Sequence, residues 1–142
     1  MKPVKVSFGE LHASIPWKRL ASFSPDVIVG VERGGIVLAA LAAFRLNAEL
    51  LTLRASLYDD SKPARALRPV PLVTCGQLCV RKKRVLLVDD VSNTGRTLAA
   101  VKSLLLSEGA AEVKTFVYAG KADFSCRPFE RCLAFSWEKA PG

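Results

Sequence analysis

The feature that most constrains the fold of this chain is an apolar run that ends in two acids and a short polar loop. Residues 85–88 are apolar, Asp89 and Asp90 follow them, and the loop leads into an Ala/Leu-rich stretch at residues 97–107. A short apolar run is typical of a buried strand, and the longer stretch has the length and composition of a helix. With the next apolar run, at residues 113–118, this region predicts a βαβ unit.

An earlier part of the chain shows the same alternation. Residues 26–31 read as a buried strand, residues 36–46 as a helix and residues 50–53 as another strand. Continuous apolar strands that alternate with helices predict an α/β fold, with a mostly parallel central sheet flanked by helices. Ligands of such sheets bind beyond the carboxyl ends of the strands, which is where we expect the site.

The size and composition predict one domain. The chain has 142 residues, half of them hydrophobic, which is enough for a single domain over residues 1–142 and too few for two. No apolar run approaches the ~18 residues that a membrane-spanning helix needs. The N-terminus has no apolar segment of the kind found in signal peptides. We therefore expect a cytoplasmic protein with no membrane partner.

The net charge of +8 favours an anionic partner. Charge alone does not decide between nucleic acid, a membrane surface and a small polyphosphate. The densest basic run, residues 81–84, contains none of the aromatic residues that usually accompany basic ones in nucleic-acid sites. We interpret it as a solvated turn and expect no nucleic-acid partner. The four cysteines form no C-x-x-C pair and lie far from His12, the only histidine, so we expect reduced thiols and no zinc site.

The polar loop after the two acids has the chemistry of a phosphate site. Hydroxyls and backbone N–H groups at the N-terminus of a helix attract anions. Asp89 and Asp90, at the end of the strand, can accept hydrogen bonds from the hydroxyls of a sugar or hold a hydrated magnesium ion. Two acids by themselves would fit an ordinary helix N-cap, but the whole string Val85 to Leu98 is more specific.

That string resembles the phosphoribosyl pyrophosphate motif of type I phosphoribosyltransferases, an apolar strand, two acids, a short variable stretch and Thr-Gly-x-Thr. The resemblance implies the fold of that family, with a small hood and a mobile loop over a mostly parallel sheet. It implies that Asp89 and Asp90 contact the ribose, hold Mg²⁺ through water and serve catalysis. The 5-phosphate would lie on the loop that follows, Ser92, Asn93, Thr94, Gly95, Arg96 and Thr97.

A second motif resembles the pyrophosphate loop of the same family. Glu32, Arg33, Gly34 and Gly35 follow the strand at residues 26–31 and precede a helix. Glycines let backbone N–H groups approach a ligand, and an arginine can neutralise the departing pyrophosphate. In relatives the peptide bond before the basic residue is often cis, which here is the bond between Glu32 and Arg33.

A third motif begins a stretch of loop composition at residues 58–71. Ser56 and Tyr58 resemble the Ser-x-Tyr start of the mobile catalytic loop in hypoxanthine-guanine and xanthine-guanine enzymes. Such a loop would exclude water while a sugar cation develops. A disordered surface loop is the alternative for this stretch.

The resemblance also suggests where a base would bind. Lys121 follows a strand at the place where purine-salvage relatives carry a lysine that contacts the exocyclic oxygen of a 6-oxopurine. Trp137, with Phe129 behind it, lies in a tail similar to the Phe-Pro-Trp-Glu ending of small microbial enzymes of this group. Trp137 would stack on the base, or it would be an ordinary core residue.

Asn93 departs from the family pattern. Many hypoxanthine and guanine enzymes have an Asp there as a candidate proton acceptor near purine N7, and an Asn cannot act as a general base. Either turnover is slow, or the base arrives ionised, or the substrate is not a standard purine.

These observations predict a magnesium-dependent enzyme that transfers the phosphoribosyl group to a nucleobase, most simply a 6-oxopurine, and releases pyrophosphate. The resemblance implies a homodimer or homotetramer. Two alternatives stay open, a phosphoribosyltransferase for another acceptor and a regulator that binds the ligand without transferring it.

Overall fold

The structure is a computed structural model that describes residues 2–58, 67–74 and 77–138. In these residues the larger sheet has six strands in the order β4-β3-β2-β5-β6-β7. All neighbours pair in parallel except β3 and β4, which are antiparallel. The predicted α/β fold with a mostly parallel central sheet is confirmed. The strands are β2 (Val27–Glu32), β3 (Glu49–Tyr58), β4 (Leu67–Thr74), β5 (Arg84–Ser92), β6 (Glu112–Gly120) and β7 (Phe124–Arg127).

Helices cover both faces of this sheet. α1 (Phe8–Ser14), α2 (Trp17–Phe23) and α3 (Ile36–Leu46) contribute to a core on one face, and α4 (Arg96–Ser107) contributes to a core on the other. The central strands are buried on both sides, which explains why β2 and β5 read as unbroken apolar runs. The predicted strands and helices of the two βαβ units are therefore present.

A second, small sheet joins the two ends of the described chain. β1 (Val4–Val6) pairs in parallel with β8 (Leu133–Phe135), so the chain after β7 returns to the segment before α1. Val6 and Phe135, which are partners in this sheet, are both buried in the core that contains α3. The small hood that the resemblance implies stays a prediction, and this sheet is the candidate for it.

The bounds predicted for the long loop are wrong. Ser56 and Tyr58 belong to β3, and residues 67–71 belong to β4, while residues 59–66 lie outside the described residues. Pro69 and Pro71 gave this stretch its loop character, but β4 is the edge strand and its register with β3 is irregular between Leu67 and Leu72. Proline is tolerated at an edge strand or an irregularity because it donates no hydrogen bond to the ladder.

The basic run at residues 81–84 lies at the amino end of β5, and two of its members are paired with acids. Lys83 contacts Glu49 at 3.4 Å, and Arg84 contacts Glu112 at 2.9 Å while its guanidinium donates to the carbonyl of Phe23. These contacts neutralise part of the positive charge of the basic run with acids of the same chain. None of the helices among the described residues is long and apolar enough to cross a membrane.

Candidate active site

The three predicted site segments meet at one edge of the sheet. β2 ends at Glu32, β5 at Ser92 and β6 at Gly120. Because β2 and β5 pair in parallel with Gly30 opposite Val88, and Ser92 is opposite Gly120, the loops after these strands start side by side. The strand order reverses between β2 and β5, because β3 lies on one side of β2 and β5 on the other, and ligands of such sheets bind at this point.

Gly34 brings the loop after β2 into contact with the acids after β5. A Cβ atom built on Gly34 would lie 2.3 Å from a carboxylate oxygen of Asp90, which is far inside van der Waals contact. The carboxylate therefore lies directly against the backbone of the glycine loop. Any residue with a side chain at position 34 would have to displace it.

Asp89 and Asp90 form a tight pair of carboxyl groups. The N–H of Asp90 donates to Asp89 Oδ1 at 2.8 Å, and the N–H of Val91 donates to Asp90 Oδ1 at 2.7 Å. Burial, and then the neighbouring charge of Asp90, raise the pKa of Asp89 from 3.8 to about 8. A nearby cation or sugar hydroxyls would favour the ionised form of Asp89. The carboxylate oxygens of the pair are also ligands that suit magnesium or the hydroxyls of a ribose.

The loop between β5 and α4 ends in an open helix N-terminus. Gly95 is the N-cap residue and has a left-handed φ of 81°. It has no side chain to satisfy the first N–H groups of α4, although Thr94 Oγ1 accepts from the N–H of Arg96 at 3.3 Å. Asn93 and Thr94 are exposed. A helix N-terminus of this kind attracts a phosphate.

Ser92 differs from the rest of this loop because its side chain is buried. It is 5% exposed, and its hydroxyl has no hydrogen-bond partner among the described residues. The carbonyl of Ser92 accepts from the N–H of Lys121 at 3.1 Å. Ser92 thus ties the loop to the end of β6.

Lys121 reaches the same edge through Gly120. Gly120 has a φ of 113°, and a Cβ atom there would lie 1.8 Å from the carbonyl oxygen of Ser92, so only glycine fits. The side chain of Lys121 is exposed and lines a cavity of about 280 Å³ together with Gly95 and Lys102. Space beside the loop between β5 and α4 is therefore bordered by two lysines. Gly120 was not singled out from the sequence, although its place before Lys121 was a signal.

The loop after β2 has the conformation that the sequence suggested. The peptide bond between Glu32 and Arg33 is cis, and the side chain of Arg33 is exposed. The carboxylate of Glu32, however, accepts hydrogen bonds from Thr52 and Arg54 on β3. Sequence reasoning missed both partners, because their approach depends on the register of β2 with β3.

Among the described residues, the ring contacts of Trp137 are with other aromatic residues and not with these loops. Its ring stacks on Phe135 with 4.9 Å between centroids and meets Phe8 edge-on at 6.2 Å. It packs against the core on the α3 face, as in the core alternative, and its stacking on a base stays a prediction. Phe129 is 38% exposed. The side chains of Ser56 and Tyr58 lie outside the described residues.

Comparisons with known proteins agree with this fold. Residues 9–128 match the family model described as phosphoribosyl transferase domain. A crystal structure of purine phosphoribosyltransferase from Pyrococcus horikoshii is 28% identical, with a TM-score of 0.83 over 100% of this chain and 97% of that one.

Two curated relatives are similar over part of their length. The transcriptional regulator GfcR of Methanocella arvoryzae is 26% identical over 96 residues, which cover 68% of this chain and 46% of that protein. The bifunctional protein PyrR of Ligilactobacillus salivarius is 37% identical over 91 residues, which cover 58% and 51%. The chain thus spans about half the length of these relatives.

Proposed function

The chain belongs to the type I phosphoribosyltransferase family, and on that premise we propose that it transfers the 5-phosphoribosyl group from phosphoribosyl pyrophosphate to a nucleobase. The observation that carries the proposal is the contact between Gly34 and the carboxylate of Asp90. It joins a loop suited to pyrophosphate and acids suited to ribose at one edge of the sheet. A single ligand with both groups can span that contact.

In this proposal each segment binds one part of the ligand. The 5-phosphate lies on residues 92–97 at the N-terminus of α4. The ribose hydroxyls lie on Asp89 and Asp90, and the pyrophosphate lies on residues 32–35, which include Arg33. Holding the ligand at these three points fixes C1 of the ribose relative to the incoming base. Such positioning contributes several kcal/mol to many two-substrate reactions, on the order of 7–11 kcal/mol at most.

The bond between C1 and the pyrophosphate oxygen then breaks, and pyrophosphate leaves with the electron pair. A nitrogen of the base forms the new bond to C1 from the opposite face, with inversion, and a base that does not arrive ionised gives its proton to water. Positive charge develops on the ribose in the transition state, and the carboxylates of Asp89 and Asp90 stabilise it. Arg33 stabilises the charge of the leaving group.

Mg²⁺ is the proposed cofactor. Asp89 and Asp90 would hold it, directly or through water, because two close carboxylates in a partly buried site have a charge that a divalent cation relieves. When bound, the ion would neutralise pyrophosphate oxygens.

The proposed acceptor is a 6-oxopurine, namely guanine, xanthine or hypoxanthine. Support comes from the position of Lys121 beside the phosphate loop and from the likeness to the Pyrococcus horikoshii purine phosphoribosyltransferase. Lys121 would donate to the exocyclic oxygen of the base. Asn93 can donate to an unprotonated N7, although it cannot accept a proton as an Asp would.

Pyrophosphate release tests the proposal. The protein is given Mg²⁺ and phosphoribosyl pyrophosphate with guanine, xanthine, hypoxanthine, adenine, uracil or orotate, each beside a control without base. Release that depends on a 6-oxopurine supports the proposal. Release with uracil or orotate only would move the assignment to another acceptor.

A second candidate is a regulator that binds the ligand without transferring it. It is favoured by the likeness to the transcriptional regulator GfcR and by Asn93. Binding of phosphoribosyl pyrophosphate with no product from any base would support it. The ion pairs of Lys83 and Arg84 give the basic run a structural role and so do not add to this candidate.

A homodimer or homotetramer remains part of the proposal. Every residue of α3 except Arg45 is apolar, yet Phe44 is 88% exposed and Ile36 is 39% exposed. A helix that is apolar on all sides is typically buried, and a second copy of this chain is the proposed cover. Light scattering on the Phe44→Lys variant should show a lower mass than the unchanged protein.

A further inference from the structure

Glu32 places a carboxylate at the start of the loop to which pyrophosphate is assigned. A negative side chain beside a polyanion weakens binding unless its charge is neutralised. Glu32 is therefore the one member of this loop whose presence the proposed function does not explain. Its surroundings on β3 supply an explanation.

Both oxygens of the Glu32 carboxylate are engaged by β3. Thr52 Oγ1 donates to Oε1 at 2.8 Å, and Arg54 Nε donates to Oε2 at 3.1 Å. The register of the two parallel strands sets this arrangement, because Glu32 is opposite Arg54 and Gly30 is opposite Thr52. The end of β2 is thus fastened to β3 at the residue before Arg33.

The contact with Arg54 also fixes a second cation near the loop. The side chain of Glu32 is 30% exposed and that of Arg54 is 68% exposed, so the guanidinium lies on the surface and Glu32 is the more enclosed partner. The bond uses Nε, and a guanidinium has four more N–H groups on its terminal nitrogens. A charge held in one direction binds an anion better than one that must be ordered on binding.

We propose that Glu32 is a positioning residue, which anchors the pyrophosphate loop to β3 and directs the guanidinium of Arg54 towards that loop. Thr52 acts through Glu32 by holding its other oxygen. This inference rests on the proposed function. It differs from the expectation that Glu32 itself binds pyrophosphate, because both of its oxygens already accept hydrogen bonds from β3.

Three variants and a matched control test it. Glu32→Ala removes both contacts, Glu32→Gln keeps an oxygen for Arg54 and an amide that can donate to Thr52, and Thr52→Val removes one contact. Glu49→Ala is the control, because Glu49 is likewise an acid at a strand end that pairs with a basic residue, Lys83, but it is the first residue of β3 and lies at the amino end of the sheet. The KM values of phosphoribosyl pyrophosphate and base, kcat, and the inhibition constant of pyrophosphate are measured for each.

We expect Glu32→Ala to raise the KM for phosphoribosyl pyrophosphate and the inhibition constant for pyrophosphate by about tenfold, as for loss of a charge-assisted hydrogen bond. The KM for the base should not change, and kcat should change much less. Glu32→Gln should keep most of the affinity that Glu32→Ala loses. The double variant Glu32→Ala/Thr52→Val should behave like Glu32→Ala alone. Thermal unfolding should be similar for Glu32→Ala and Glu49→Ala.

Two results would overturn the inference while the proposed function stands. Glu32→Ala could behave like Glu49→Ala, or it could bind pyrophosphate more tightly, which would mean that the carboxylate only repels the ligand. If the unchanged protein neither turns over nor binds phosphoribosyl pyrophosphate in calorimetry, the proposed function fails and this inference fails with it.

Discussion

The two ends of the central sheet differ in how their charged side chains are arranged. At the amino end, charges are exposed and paired, as between Arg84 and Glu112 or Lys83 and Glu49. At the carboxyl end, two carboxyl groups lie together, and burial with their mutual repulsion raises the pKa of Asp89 to about 8. The amino end is arranged for stability, whereas the carboxyl end holds unfavourable charge that a ligand would relieve. Substitutions at the two ends should therefore affect different properties.

The largest effect is expected where the two loops of the carboxyl end touch. Gly34→Ala puts a methyl group where the Asp90 carboxylate lies, so kcat/KM for phosphoribosyl pyrophosphate should fall by about 100-fold or more, as for misplacement of a positioned group. Gly9→Ala is the matched control, since a Cβ there meets nothing closer than 4.0 Å. Equal activity of the two variants would show that the contact has no functional role.

Asp90→Asn should separate function from stability at the same place. The amide keeps the shape of the side chain and removes the charge that stabilises the sugar cation, so kcat should fall by roughly 10²-fold or more while thermal unfolding changes little. Steady-state kinetics and thermal unfolding of the same preparation provide the comparison. Unchanged kinetics would refute the role of Asp90.

Asp89→Asn should stabilise the protein in a pH-dependent way. Because the pKa of Asp89 is raised from 3.8 to about 8 by folding, its ionisation costs the folded state more, and stability falls as the pH rises from about 4 through 8. The variant should therefore melt higher than the unchanged protein at pH 8, by roughly 2–6 °C, with no difference at pH 4. Its transferase activity should be reduced. A variant less stable at pH 8 would contradict the burial of an unfavourable charge.

The smallest effect is expected at the amino end. Glu49→Ala removes an exposed ion pair with Lys83, so the free energy of unfolding should fall by only about 0.2–1 kcal/mol, and less in high salt. Denaturant unfolding measures this change. A loss of transferase activity in this variant would show that the two ends are not independent.

Local patterns predicted most of the structure around the candidate site. The strand, acids, loop and helix around Asp89 to Thr97 are consecutive in the chain, so their order determines their structure. The contact of Gly34 with Asp90 and the bonds from Thr52 and Arg54 to Glu32 join separate strands, and they depend on pairing that no single segment encodes.

Three other elements, α1, α2 and β4, were not predicted from the sequence because of their local composition and length. α1 and α2 have seven residues each, which is too short for a clear helical period, although Ser7 caps α1 through a hydrogen bond from the N–H of Glu10. β4 contains two prolines, which hid a strand that lies at the edge of the sheet.

Titration calorimetry with phosphoribosyl pyrophosphate, in the presence and absence of Mg²⁺, tests the central claim most directly. We expect one ligand to bind each chain, more tightly with Mg²⁺, and binding to be lost in Gly34→Ala but kept in Gly9→Ala. No binding to the unchanged protein, or equal binding to both glycine variants, would contradict a ligand site at the meeting of the two loops.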